Sequence, residues 1–173
     1  MIGGRHASHR DYRFVYQAGD HAGERALHAG DGDDDSGLLD AFQSGQQPMQ
    51  ASDTDNLEDA AMLASANLFS HPIWPDPWPV MRFDKRNSIA YRMALVGAGA
   101  FDAAMALSPK WDWDVAAGAL IAEEGGARCT DHLGRPYHFN RPDPRQASLV
   151  CAAPALHPLI LKRCAPISLP DLL

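Results

Sequence analysis

Asp114 is the residue best placed in this sequence to do chemistry. It stands at the head of Val115 to Ala122, a small and apolar run without proline that predicts a buried helix, with Gly125 and Gly126 just past its end. A carboxylate at a helix N-terminus faces the positive end of the dipole and stays ionised, while the free N–H groups beside it favour a second anion such as phosphate. A cation between the two completes such a site. Magnesium suits it, because this ion takes one or two protein carboxylates and fills its other positions with water and substrate phosphate. The competing reading is a plain helix cap, for which Asp is among the preferred residues. Asp112 shares the site if the stretch is extended; if the helix starts at Trp113, the two carboxylates diverge by about 200°. Divergence is the expected arrangement, with Asp112 in a supporting role.

Two further candidates lie upstream. Ser88 opens a second helical pattern, with Ile89, Met93 and Val96 at helical spacing, and reads equally as a helix cap or as a substrate contact. Arg86 has the planar fork that grips phosphate, or that pairs with an acidic neighbour.

Trp113-Asp114-Val115-Ala116-Ala117-Gly118, running on to Glu123-Glu124-Gly125-Gly126 and preceded by Arg86-Asn87-Ser88-Ile89-Ala90 and Leu95 to Ala103, closely resembles the C-terminal half of the inositol monophosphatase family. The similarity covers roughly Gln50 to Leu161. It implies the C-terminal lobe of that family's layered α/β fold, a mixed sheet covered by helices. It also implies a magnesium-dependent phosphate monoester hydrolase acting on an inositol phosphate or a related small phosphomonoester. The motif aspartate ligates catalytic magnesium in the family, so the resemblance gives Asp114 a metal and makes Arg86 and Ser88 substrate-binding candidates.

The chain also departs from the family pattern. The family's Glu-Glu region and Asp-Pro-x-Asp-Gly-Thr motif are absent, and Asp76-Pro77-Trp78-Pro79 does not replace them. No residue is assigned as catalytic base or nucleophile, and the site is expected to be incomplete in this chain. Asn87-Ser88 stands where family members carry Gly-Ser or Gly-Thr, and Ala106 stands near a position where some carry an acid that contacts substrate hydroxyls. Two alternatives follow: a noncatalytic remnant that keeps the fold, or a family member acting on 3′,5′-bisphosphorylated nucleotides.

The 173 residues suffice for one domain or one lobe with a buried core, and a 46% hydrophobic share fits a globular protein. A net charge of −7 without a basic, aromatic-interleaved cluster argues against a nucleic-acid polymer as partner. The expected partner is a small phosphorylated substrate, and a homodimer is left open. No apolar run reaches a membrane span and the N-terminus lacks an apolar signal core, so no membrane is expected and the cytoplasm is the default. Cys129, Cys151 and Cys164 lack metal-site spacing and read as buried thiols.

The expected division is a low-order, acidic and His-rich segment over residues 1–50, unrelated to the fold, and the lobe over 51–173. The first segment holds eight acidic residues against four Arg and shows no periodicity. Its Asp31 to Ser36 run is no calcium loop, because Ser36 and Phe42 stand where that motif needs Gly and Glu. Beyond it, expected elements are a helical turn over 53–58, strands over 60–65, 101–107, 127–130 and 148–153, and helices over 86–97, 115–122 and 155–164, with a Pro- and Trp-rich loop over 67–79. Their alternation implies helices layered on a sheet. Limited proteolysis should trim residues up to about Gln47 first and leave Asp53 to Leu161 protected; early cuts within Val115 to Ala122 would overturn this division.

Overall fold

The computed structural model describes residues 49–169. The acidic head, its Asp31 to Phe42 run and the Pro170 tail lie outside them.

Five strands form one mixed sheet: β1 (Ala61–Leu63), β2 (Arg82–Asp84), β3 (Ala103–Ala106), β5 (Arg128–Thr130) and β7 (Leu149–Ala152), in the order β2-β1-β3-β7-β5. β1 runs parallel to both β2 and β3, whereas β7 is antiparallel to β3 and to β5. Two short strands, β4 (Lys110–Trp111) and β6 (Arg145–Gln146), pair separately. The helices are α1 (Ala66–Phe69), α2 (Ile89–Gly97), α3 (Asp112–Glu124) and α4 (His157–Cys164). None is long and apolar enough to cross a membrane.

The three inner strands β1, β3 and β7 are apolar because both sheet faces are covered there, while the edge strands β2 and β5 carry polar residues. Side chains alternate across the pleat, so Met62, Met105, Val150 and Ala152 join α4 residues Ile160 and Cys164 on one side. Ala61, Leu63, Ala104 and Cys151 join Met93 and Val96 of α2 and Val115, Ala119 and Ala122 of α3 on the other. This is the layered α/β arrangement expected from the alternating elements.

Several boundaries differ from those read in the sequence. α3 begins at Asp112, with Trp111 in the cap position and making no side-chain cap hydrogen bond, so Asp114 lies inside the first turn and is not the cap. Residues 53–55 are irregular and 56–59 form a bend and a turn rather than a helical turn over 53–58, and α1 occupies the start of the supposed irregular loop, since the prolines begin only at Pro72. Within the rest of that loop Trp74 is buried, donates from Nε1 to the Leu68 carbonyl at 2.6 Å, and meets Trp78 edge-on, which is the packing role expected of both rings. The three cysteines are free and buried. Cys129 across the ladder, together with burial, pushes the Cys151 thiol up, and burial pushes the Cys164 thiol up to about 12.

Asp102 is a structural carboxylate that the sequence reading passed over. It is 1% exposed and accepts from Ser52 Oγ at 2.7 Å, Thr54 Oγ1 at 2.8 Å and the Ala61 amide at 2.7 Å. These bonds stitch the segment entering the lobe to β1 at the foot of β3, as buried charge requires.

α2 and α3 pack almost backbone to backbone. A Cβ added at Gly118 would lie 2.7 Å from Ala90 Cα, and one at Gly97 would lie 2.7 Å from Ala122 Cα. Gly118→Leu should therefore cost roughly 1–3 kcal/mol or more through overpacking, while Asp114→Asn should leave the urea midpoint nearly unchanged. Equal losses in the two variants would contradict this packing.

Two buried imidazoles give the fold an acid sensitivity. His132 Nδ1 lies 2.8 Å from Ser148 Oγ, and His157 Nε2 lies 2.9 Å from Thr130 Oγ1. Burial holds both below their ordinary value of 6.5, with Arg135 and Arg128 adding to the effect and Asp131 opposing it at His132. The unfolded chain thus binds more protons than the fold as pH drops below 6.5, and stability falls with it. Urea midpoints at neutral and mildly acidic pH should diverge less in a His132→Asn, His157→Gln double variant than in the parent chain.

Candidate active site

A cleft of about 570 Å³ opens where the N-terminal ends of α2 and α3 meet the turn between β3 and β4. Its walls include Ser65, Asn87, Arg92, Ser108, Lys110 and Asp114, over an apolar floor that includes Ile89, Met105 and Leu107. Asp114 is its one acidic wall residue.

The two carboxylates of α3 separate as the helical register requires. Asp112 accepts from Gln146 Nε2 at 2.6 Å and from the Asn140 amide at 3.2 Å, and so ties the start of α3 to β6 and the loop before it. Asp114, two residues on, turns into the cleft; its half-buried carboxylate has no hydrogen-bond partner among the described residues. The first-turn position keeps it in the favourable field of the α3 dipole. One carboxylate is thus spent on structure and the other is available to a ligand.

Ser88 is the cap of α2: its side chain accepts from the Tyr91 amide at 3.2 Å. Arg86 points its fork at Asp84, with Nη1 2.7 Å from Oδ1, and also donates to the Lys85 carbonyl at 3.0 Å. Neither residue is among those lining the cleft. The Arg86 carbonyl nevertheless receives Nε of Arg92, which holds the Arg92 stem against the cleft wall.

Arg92 and Lys110 are the wall residues that the sequence reading missed. A signal existed: Arg92 follows Ser88 by one helical turn, and Lys110 precedes Asp114 by four residues. Lys110 Nζ donates within its own turn, to Ser108 Oγ at 2.6 Å, the Ser108 carbonyl at 3.1 Å and the Pro109 carbonyl at 3.2 Å. Burial, then the nearby Arg92 charge, holds the Lys110 ammonium below its ordinary value, with Asp114 pulling the other way. Burial likewise lowers Arg92.

Among the described residues no three or more His, Cys, Asp or Glu side chains gather to hold a metal ion. Asp114 fits magnesium as a single ligand, being an uncommitted carboxylate in an open cleft, but these residues alone do not complete a metal centre.

The sequence profile of the inositol monophosphatase family matches residues 36–168, and the chain belongs to that family. The match begins inside the segment read as an unrelated head. Solved structures with the same fold include a 2′AMP-bound inositol monophosphatase II from Staphylococcus aureus, at 22% identity and a TM-score of 0.58, covering 74% of this chain and 51% of that one. Inositol monophosphatases of Anabaena, at 18% identity and a TM-score of 0.55, and Thermotoga maritima, at 22% and 0.54, cover 74% and 70% of this chain and 52% and 46% of their own lengths. The chain thus spans about half the length of these structures. None of the curated proteins matches it.

The unequal commitments of the two α3 carboxylates predict unequal losses. Asp112→Ala strands one N–H of Gln146 and loosens the start of α3, at a cost of about 1–3 kcal/mol, whereas Asp114→Ala removes a side chain with no hydrogen-bond partner among the described residues and should shift the unfolding midpoint little. Matched urea denaturations of the two variants check this ordering.

Proposed function

We propose that residues 51–173 form the C-terminal lobe of a magnesium-dependent phosphomonoesterase that acts on a small phosphorylated substrate in the cytoplasm. The observation that carries this reading is Asp114: it is the single acid on the cleft wall, has no hydrogen-bond partner among the described residues, and shares that wall with Arg92 and Lys110. When bound, magnesium supplies a Lewis acid for the phosphate and a lowered pKa for an attacking water. The chain's own residues do the rest. Asp114 would ligate the ion, Ser65 and Ser108 offer hydroxyls to phosphate oxygens, and the apolar floor under Ile89 and Leu107 limits water around the ester.

Inositol phosphates are the first substrate candidates, because staphylococcal inositol monophosphatase II is known in complex with inositol monophosphate. A 3′,5′-bisphosphorylated nucleotide is a variant of the same reading; that protein's complex with 2′AMP supports its nucleotide part alone. In the site as first read from the sequence, Ser88 and Arg86 contact substrate; their cap and ion-pair bonds now support a positioning role, Arg86 through the carbonyl that holds Arg92. A noncatalytic lobe is the second reading, favoured by the lone carboxylate in the cleft.

One assigned carboxylate cannot both hold the ions and activate water, so this chain alone should release little or no phosphate from inositol monophosphate or a 3′,5′-bisphosphorylated nucleotide in magnesium. Placing the N-terminal half of a family member before residue 51 should restore turnover, and Asp114→Asn should abolish it again. Robust turnover by the chain as it stands would overturn the incompleteness. An inactive chimera whose magnesium affinity ignores Asp114→Asn would overturn the phosphatase reading itself.

A further inference from the structure

A second cavity, of about 400 Å³, lies on the α4 side of the sheet, away from the face that α2 and α3 cover. Its walls include Leu57 from the segment entering the lobe, Trp74 and Asp76 from the proline-rich loop, and Leu159, Lys162 and Arg163 from α4. It shares no lining residue with the cleft that holds Asp114. A volume of this order, walled mainly by apolar side chains with a few polar groups, is that of a pocket for a small organic molecule.

Arg163 stands in this cavity with an incomplete set of bonds. Its Nη2 donates to the Pro77 carbonyl and its Cζ lies 5.0 Å from the centre of the Trp78 ring. Its Nε is buried without a hydrogen-bond partner, and so is Nε1 of Trp78; among the described residues these are the two buried side-chain polar atoms left in that state. A buried N–H without an acceptor costs its full desolvation, and here two such groups belong to one stacked pair. Both are donors, so what the spot lacks is an acceptor. Pro77 and Pro79 flank Trp78, bring no N–H and stiffen the backbone, which leaves the long Arg163 stem as the part that can turn. Nε and a terminal nitrogen of a guanidinium form the planar fork that takes a carboxylate through two parallel bonds.

The other wall residues narrow the ligand. Lys162 is exposed and forms no ion pair or hydrogen bond among the described residues, and the same holds for Asp76. Two cations against one acid favour a singly charged anion, and the Asp76 carboxylate opposes a dianion. Trp74, pinned by its bond to the Leu68 carbonyl, adds a fixed aromatic wall beside Leu57 and Leu159. We propose that this cavity is a binding site for a small monocarboxylate with an apolar or aromatic body, its carboxylate held by Arg163 and Lys162 and its body resting on Trp74, Leu57 and Leu159. Binding gives Arg163 Nε the acceptor that the fold withholds. The site is independent of the phosphatase reading.

Calorimetric titration of the full chain with phenylpropionate, with its neutral amide and with inorganic phosphate tests the assignment. The carboxylate should bind about tenfold or more tightly than the amide, the gain expected from one or two charge-assisted bonds, and more tightly than phosphate, which has charge but no apolar body. Arg163→Met keeps the stem and removes the fork, and should bring the carboxylate down to the affinity of the amide. Lys162→Met, at an exposed position, should weaken the carboxylate several-fold and leave the amide unchanged, and it decides alone if Arg163→Met fails to fold. Lys110→Met, in the cleft, should leave the carboxylate affinity as it is. Absence of binding, equal affinity for carboxylate and amide, tighter binding of phosphate, or an affinity unchanged in Lys162→Met overturns the site, and a loss in Lys110→Met overturns it by moving the carboxylate to the cleft.

Discussion

The close approach of α2 to α3 is the constraint on which the rest of the lobe depends. Gly118 lies on Ala90 and Gly97 on Ala122, two contacts where only hydrogen fits between backbones. Because the contacts are reciprocal and lie nearly two turns apart on one helix and one turn apart on the other, they fix the helices in register as well as in distance. Arg92 then stands beside the turn that carries Lys110, and Asp114 opens onto the same cleft. A larger side chain at either glycine would separate the helices and carry cation and carboxylate apart, so the packing that stabilises the lobe also sets the geometry of the cleft.

The N-terminal ends of α2 and α3 divide their polar groups between structure and ligand. Ser88 is used as a cap, Arg86 is held by Asp84, and Asp112 is held by Gln146 and the Asn140 amide. On the cleft wall stand three charges that form no ion pair among the described residues: Arg92, Lys110 and Asp114. Charged side chains half withdrawn from water and left without ion pairs are unfavourable for stability, and folded proteins tolerate them chiefly where a ligand supplies the missing charge.

Much of this was legible in the sequence, and what was not has physical reasons. The apolar runs Ala60 to Ala64, Ala103 to Leu107 and Leu149 to Ala153 announced buried strands because both faces of the sheet are covered. The small residues at Gly118 and its neighbours announced a close helix contact. β4 and β6, at two residues each, are too short to show a period, and β2 is a partly exposed edge strand whose Arg-Phe-Asp sequence carries no apolar run. The start of α3 was read three residues late because Trp111 caps it without a side-chain bond, so no capping residue marked the boundary. Arg92 was passed over, and Arg86 was singled out because it opens the motif. Asp84 claims its fork in space, a competition that sequence order does not display.

The same competition explains why the carboxylates of α3 could be told apart only in part. Their divergence follows from helical geometry, but which of them meets solvent depends on β6, more than thirty residues away, presenting Gln146 to Asp112. That long-range bond releases Asp114 from any structural duty: with the helix start already anchored through Asp112, its neighbour on the other face can remain without a protein partner and α3 still hold its first turn. A carboxylate that is rigidly placed yet uncommitted costs little reorganisation when it takes a ligand, which is the physical basis for a preorganised site. In this lobe the placement of Asp114 is therefore a property of the Asp112–Gln146 pair and of the Gly118–Ala90 contact behind it, and the geometry of the cleft wall is inherited from packing on its far side.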